Sequence, residues 1–161
     1  MKDFLDKISS YNLFNFLLPG ALFAILAEKI TSYAFLQSDL IIAFFTYYFI
    51  GLVISRFGSL IIQPILTKLS LVKFASYEEY LKVSKKDEKL DTLSEINNTY
   101  RSLLSMMVLL IFLKAYEFLE ASLPILKTFN IYILIAGLSI IFLFSYIKQT
   151  DYINQRVKAR R

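Results

Sequence analysis

Lysines and tyrosines are interleaved between Lys68 and Arg101, a combination that is typical of sites for single-stranded nucleic acids. Basic side chains neutralise phosphates, and tyrosine rings stack on bases. The candidate ligand-binding residues are Arg56, Lys68, Lys73, Lys82, Lys85, Lys86, Lys89, Tyr100 and Arg101, with Tyr77 and Tyr80 among them. Two alternatives remain open: lysines are expected on the cytoplasmic side of any membrane protein, and phospholipid headgroups attract the same residues.

Arg56 and Arg101 are the first candidates in this set. Sixteen uncharged residues, Leu40 to Ser55, precede Arg56, and at 1.5 Å per residue they cover roughly 24 Å of a hydrocarbon core about 30 Å thick. Arg56 is therefore predicted at a membrane boundary, and Arg101 at the same boundary, where the next span begins. An arginine there reaches a phosphate or a carboxylate while its stem stays in the apolar layer.

Polar residues in and beside the apolar segments are candidates for a pore or gate. They are Asn15, Pro19, Ser55, Ser59, Asn97, Lys114 and Glu117. Pro19 indicates either a packing kink or a functional hinge in its helix. Lys114 and Glu117 lie three residues apart, so they form either a snorkelling pair or a pore mouth.

Enzymatic chemistry is not expected. The chain has no Cys and no His, which excludes thiolate chemistry, disulfides, the commonest zinc sites and histidine acid–base catalysis. It also lacks a phosphate-binding glycine loop, GxSxG and HExxH, so we expect no catalytic residues, metal or cofactor. No predicted span carries an acidic residue at its centre, which disfavours a proton- or drug-coupled exporter.

The composition indicates an all-α integral membrane protein. Of the 161 residues, 57% are apolar and 16% aromatic, far outside the range of a soluble domain of this length. Hydropathy predicts a single membrane domain, 1–161, with four transmembrane helices. The predicted spans are about 13–27, 40–60, 101–119 and 128–147, with a helical cytoplasmic insert at about 67–100 and a basic tail at 148–161.

Several local patterns refine this plan. Residues 1–12 have the spacing of an amphipathic interfacial helix. The small residues Gly51, Ser55 and Ser59 recur every four positions and predict a face that packs against protein. Ser76 and Thr92 are each followed three residues later by a glutamate, which predicts two capped helices, the second continuing into the third span.

The charge distribution predicts the orientation. With four spans, the N-terminus, the insert and the tail share one side and hold two, seven and five of the 18 Lys and Arg residues. The opposite loops hold only Lys29 and Lys127. The positive-inside rule therefore predicts a multi-pass protein of the bacterial inner membrane with both termini in the cytoplasm.

Three segments carry a resemblance to a known family. They are ISSYNLFNFLLPGALF, YYFIGLVISRFGSLIIQPIL and LSEINNTYRSLL. The chain resembles the four-span membrane effectors of Hailong-type anti-phage defence, and it is similar in outline to the membrane subunit of Kiwa-type defence. The first resemblance implies a homo-oligomeric ion channel, controlled by short single-stranded DNA from a nucleotidyltransferase encoded nearby, whose opening depolarises the host.

These inferences lead to one expected function and two alternatives. We expect a channel gated by a cytoplasmic oligonucleotide. The channel is expected to be a homo-oligomer, with a tetramer as the candidate size, because the four helices of one subunit enclose too little space for a wet pore. A non-conducting sensor or scaffold that recruits a cytoplasmic partner is the first alternative. A holin-like protein is the second, and it would release proteins as well as ions.

Overall fold

The computed structural model describes residues 13–84, 86–87 and 89–159, and all regular structure among them is helical. The interfacial helix predicted for residues 1–12 and the candidate ligand Lys85 lie outside the described residues.

Six α-helices and two π-helical segments make up this part of the chain. A π-helical turn, Leu13–Leu17, leads into α1, Leu18–Ile30. Helix α2, Leu40–Phe57, continues through a second π-helical segment, Gly58–Ile62, into α3, Gln63–Lys68. The short α4, Tyr77–Ser84, is followed by the two longest helices, α5, Lys89–Ser122, and α6, Ile125–Lys158.

Three helices are long and apolar enough to cross a membrane. They are the continuous helix Leu40–Lys68, α5 and α6. Helix α1 has 13 residues and is not among them. The described residues therefore form an all-helical membrane protein with three candidate spans. The fourth span and the cytoplasmic insert remain predictions.

Close backbone contact joins the first helices. Gly20 of α1 lies against the Tyr47 carbonyl of α2, and Gly51 lies against the backbone of Phe16, so a Cβ at either glycine would overlap a backbone atom. Gly58 approaches the Ser105 side chain of α5 in the same way. Small residues thus set where these helices cross, as the stripe through Gly51 predicts.

The apolar core lies between α1, α2 and α5. It consists of Phe23, Ala27, Ile54, Met106 and Leu110. Pro19 is buried directly after the π-helical turn, and because it has no N–H it interrupts the helical hydrogen bonds there. The irregularity that the sequence places near Pro19 is thus the change from π- to α-helical geometry at Leu18.

Of the two predicted capping boxes, one is confirmed and one is wrong. The Ser76 N–H donates to Glu79 Oε2 at 3.0 Å, and the Glu79 N–H donates back to Ser76 Oγ at 3.3 Å. Thr92 lies inside α5, which already begins at Lys89. The earlier start has a local cause, because Asp87 Oδ1 accepts a hydrogen bond from the Lys89 N–H at 3.0 Å. The predicted continuity of this helix into the apolar segment is confirmed.

Helix α6 packs far less closely than the other long helices. None of its residues, all of which the structure describes, is buried. A Cβ added at Gly137 would have no heavy atom of another element within 4 Å. Along its length α6 touches α2 through the rings of Phe49 and Phe142, whose centroids are 6.0 Å apart.

Candidate functional site

A cavity of about 590 Å³, here called the basic cavity, opens between the start of the helical region, α2, α5 and α6. Its polar lining residues are Asn15, Tyr48, Ser55, Arg56, Ser59, Asn98, Arg101, Gln149 and Tyr152. None of the described residues that line it is acidic. The cavity is therefore a polar, positively charged space at the level where the apolar segment of α2 ends.

Buried hydrogen bonds form the floor of the basic cavity. The Asn15 side chain is 1% exposed; its Oδ1 accepts from Ser102 Oγ at 2.9 Å, and its Nδ2 donates to Ser55 Oγ at 3.4 Å. Ser105 Oγ donates to the Arg101 carbonyl at 2.6 Å. One asparagine amide thus joins three helical segments, which fixes the position of the floor, because an unsatisfied amide in lipid is costly.

Two arginines, Arg56 and Arg101, line this cavity, and Lys148 lies beside it. The Arg101 Nη1 donates to Gln63 Oε1 at 2.8 Å. Lys148 Nζ donates to the Ser59 carbonyl at 2.6 Å and to Ser59 Oγ at 2.9 Å. Lys148 also interacts electrostatically with Arg101 and Arg56. Because like charges that close repel, an anion bound among them lowers their mutual repulsion.

Aromatic rings complete the lining and connect the cavity to the polar helix α4. Lys148 Nζ lies 5.8 Å from the centroid of the Tyr152 ring, a cation–π distance. The Tyr152 ring in turn lies 6.4 Å from that of Tyr77 at the start of α4. Tyr48 supplies a second ring on the α2 side. Cations, amides and aromatic faces are together the groups that bind a nucleotide phosphate and base.

The structure brings together five of the residues singled out in the sequence. Arg56 and Arg101, proposed as ligand contacts, line the basic cavity with Asn15, Ser55 and Ser59, which were proposed for a pore or gate. Members of the two predicted sets thus line one cavity.

The other predicted ligand residues lie elsewhere. Tyr100 and Asn97 line a neighbouring groove of about 170 Å³, which Arg101 also lines. Lys82 lines a cleft of about 390 Å³ between α4 and the end of α6, with Arg156 and Lys158. The remaining described lysines of this set, Lys68, Lys73, Lys86 and Lys89, line neither the basic cavity nor that cleft.

Lys114 and Glu117 lie at the opposite end of the molecule. Lys114 Nζ and Glu117 Oε2 are 2.6 Å apart, so the predicted pair forms, and Glu117 Oε1 also accepts from the Ser32 N–H at 2.6 Å. The residue beside them that the sequence did not single out is Glu120, which is 5% exposed and accepts from Tyr33 and Asn130. This outer cluster ties the loop after α1 to α5 and α6.

Two groups outside the membrane-spanning helices have shifted pKa values. Burial raises the pKa of the Tyr33 phenol, and the hydrogen bond to Glu120 raises it further. Hydrogen bonds from Ser76 lower the pKa of Glu79, because they stabilise the carboxylate form.

Sequence reasoning missed the contribution of α6 to the site. Gln149 and Tyr152 line the basic cavity, and Lys148 anchors α6 beside it. The available signal was Lys148 itself, because it ends a stretch of twenty uncharged residues and Tyr152 follows it at i+4 on the same helix face. Asn98 was missed in the same way, one helical turn before Arg101.

The site has no features of a metal centre. Among the described residues, no three His, Cys, Asp or Glu side chains are grouped as metal ligands. The chemistry that the cavity offers is reversible binding of an anion by arginine, lysine and amide groups. No protein-family model, curated protein or solved structure matches this chain.

Proposed function

We propose that this protein is the subunit of a homo-oligomeric ion channel, gated by a cytoplasmic oligonucleotide that binds at the basic cavity. The observation that supports the proposal is that Arg56 and Arg101 line one cavity together with tyrosine rings, while Lys148 binds Ser59 of its lining. A phosphate satisfies the cations, and a base stacks on a tyrosine.

Gating follows from where the cavity lies. Its walls come from α2, α5 and α6, and Lys148 of α6 donates directly to Ser59. A phosphate that draws Lys148 away from Ser59 loosens the attachment of α6 to α2. Since α6 has no buried residue, moving it costs little free energy. The ligand thus acts on the least firmly packed helix.

The proposal includes the four-span topology. The first helical segment, Leu13–Ile30, then crosses with the three longer helices, and both termini lie in the cytoplasm of a bacterial inner membrane. The chain has no cysteine, so single cysteines report topology without background. A cysteine replacing Gln37 is expected to react with an impermeant reagent in intact cells, whereas one replacing Lys2 is expected to react only after lysis, because α1 then separates the two.

A role in anti-phage defence is the biological part of the proposal. It rests on the resemblance of three segments to the membrane effectors of Hailong-type defence, and it names short single-stranded DNA as the signal and membrane depolarisation as the outcome. Expression of the chain with its genomic neighbours, followed by phage challenge and a membrane-potential dye, tests it.

Ion flux from liposomes tests the channel. Purified protein is reconstituted, and flux is measured with and without short DNA or RNA oligonucleotides on the accessible face. We expect flux that an oligonucleotide changes, and we expect Arg56→Ala and Arg101→Ala to reduce that response at least tenfold, since each removes a charged phosphate contact worth about 1.5–3 kcal/mol. Lys127→Ala, at the other end of α6, is the matched control and keeps the wild-type response.

A non-conducting scaffold is the second candidate function, and one observation favours it. The cleft between α4 and the end of α6 has a mixed charge, with Glu78 opposite Lys82 and Arg156, which suits a protein partner. Co-purification of a cytoplasmic partner without ion flux, lost in Lys82→Glu, supports the scaffold. Flux of the purified protein without any partner excludes it as the sole function.

A further inference from the structure

An apolar groove lies beside the basic cavity, and Arg101 lines both. Its apolar walls are Leu66 of α3, Val72 and Phe74 of the segment after α3, and Leu104 of α5. Its polar end is formed by Asn97 and Arg101. The groove is therefore amphipathic, with one charged end and one apolar end.

The chain reversal after α3 builds this groove. Ser70 has φ 60°, in the left-handed region; its N–H donates to the Thr67 carbonyl and the Leu71 N–H donates to the Leu66 carbonyl, both at 3.0 Å. This pair of bonds is the Schellman motif, which ends a helix and turns the chain back. In the non-helical segment that follows, Val72 and Phe74 line the groove, whereas Leu71 and Lys73 do not.

The polarity of the groove follows the membrane normal. Asn97, Arg101 and Leu104 lie on one face of α5, and Leu104 is seven residues, about 10 Å, further along the apolar part of the helix than Asn97. The charged end thus lies at the membrane surface, and the apolar end lies deeper. A phospholipid in the leaflet has the same orientation.

The surface around the groove has the character of an interfacial segment. Ile65, Leu69 and Leu71 are 49%, 62% and 71% exposed, although each is fully apolar. Lys68 and Lys73 are exposed among them. Apolar side chains interspersed with lysines are stabilised where a membrane surface supplies both hydrocarbon and negative charge.

We propose that this groove binds one anionic phospholipid, with an acyl chain against Leu66, Val72 and Leu104 and the phosphate at the polar end formed by Asn97 and Arg101. The site goes beyond the proposed function and exists whether or not the protein conducts ions. An oligonucleotide supplies phosphate but no hydrocarbon for the apolar end. An apolar protein segment supplies hydrocarbon but no anion for the polar end, whereas an anionic lipid supplies both.

Native mass spectrometry of the whole protein tests the site. Protein in neutral detergent is titrated with phosphatidylglycerol, with phosphatidylcholine, and with glycerol phosphate as the headgroup alone. We expect one phosphatidylglycerol to be retained at concentrations at which phosphatidylcholine and glycerol phosphate are not. Equal retention of the two lipids overturns the proposal, and binding of glycerol phosphate alone assigns the site to a soluble phosphate compound instead.

Two pairs of variants sharpen the test. Val72→Trp fills the groove and is expected to abolish retention, whereas Leu71→Trp, one residue away and outside the groove lining, is expected to keep it. Arg101→Gln removes the cation at the polar end and is expected to weaken binding about tenfold or more, the loss of one hydrogen bond to a charged group. Lys82→Gln removes equal charge outside the groove and is expected to leave binding unchanged.

The two charge variants keep the test decisive even if Val72→Trp does not fold. Identical retention in Arg101→Gln and Lys82→Gln overturns the proposal, as does identical retention in the two tryptophan variants when both are folded. Because retention is read without conductance, loss of this site and loss of channel function are distinguished by separate measurements.

Discussion

The helices before α6 and α6 itself are attached to the molecule in different ways. Between α1, α2 and α5, glycines bring backbones into contact and the Asn15 amide is buried. Helix α6 has no buried residue, and polar contacts near its two ends, at Asn130 and Lys148, attach it. Inside lipid, where no hydrophobic force draws helices together, small residues and polar contacts decide where packing occurs. The same chain therefore contains a rigid bundle and one loosely held helix.

Substitutions at two glycines are expected to give the largest difference in stability between the bundle and α6. Gly51→Leu places a side chain into the Phe16 backbone and is expected to lower the free energy of unfolding by about 3 kcal/mol or more. Gly137→Leu, with open space around it, is expected to change stability by no more than about 1 kcal/mol, in the stabilising direction. Thermal unfolding in detergent measures both. Similar destabilisation by the two variants would contradict the distinction between bundle and α6.

The buried amide gives the next largest effect. Asn15→Leu removes the acceptor of the Ser102 hydroxyl and the donor to Ser55, and it is expected to cost about 1–3 kcal/mol. Ser139→Leu, an exposed polar-to-apolar change in α6, serves as the control and is expected to be neutral. A neutral Asn15→Leu would mean that the amide does not help to hold the bundle together.

How far the sequence predicts this arrangement depends on the kind of contact. The charged boundary residues Arg56 and Arg101 and the small residue Gly51 were identified because membrane depth and close helix approach each leave a residue-type signal. The face of α6 that meets the cavity was not, because residues from Lys148 onward were assigned to a basic tail rather than to a helix that continues to Lys158. Tyr152 consequently went unrecognised.

The sequence also did not predict the long-range polar contacts. Tyr33 and Glu120 are 87 positions apart, and neither belongs to a motif that pairs them. The start of α5 was misplaced for a local reason, since Asp87 and Thr92 are both suitable caps and only the structure shows that Asp87 is used. A single sequence provides types and spacing, whereas such choices depend on tertiary geometry.

Release of α6 gives a smaller effect with a clear readout. Asn130→Leu combined with Lys148→Met removes its polar contacts at both ends, and the free energy of unfolding is expected to fall by about 1–2 kcal/mol. The distance between spin labels on cysteines at Thr67 and Asp151 is expected to broaden while the α1–α2 contact at Gly51 stays intact. An unchanged distance distribution would contradict attachment through these contacts.

The pH dependence of the outer cluster is the smallest expected effect. The pKa of Tyr33 is raised in the folded protein, so the unfolded chain loses this proton first. Its stabilising contribution is therefore fully present below the ordinary tyrosine pKa of about 10 and is lost as the pH rises above it. Tyr33→Phe is expected to flatten the fall of the melting temperature above about pH 10, and Tyr132→Phe, at an exposed position, is not.

The length of α5 has a mechanical consequence. Its 34 residues contain neither glycine nor proline and extend about 51 Å, whereas the hydrocarbon core measures about 30 Å. Roughly 20 Å of stiff helix therefore projects from the bilayer. Tyr80 of α4 contacts this projecting part, because its hydroxyl donates to Asp91 Oδ1 at 2.9 Å. A tilt of about 5° displaces one end relative to the other by about 4 Å. Helix α5 therefore transmits a displacement of its polar part to the far membrane surface, because one uninterrupted helix connects the two.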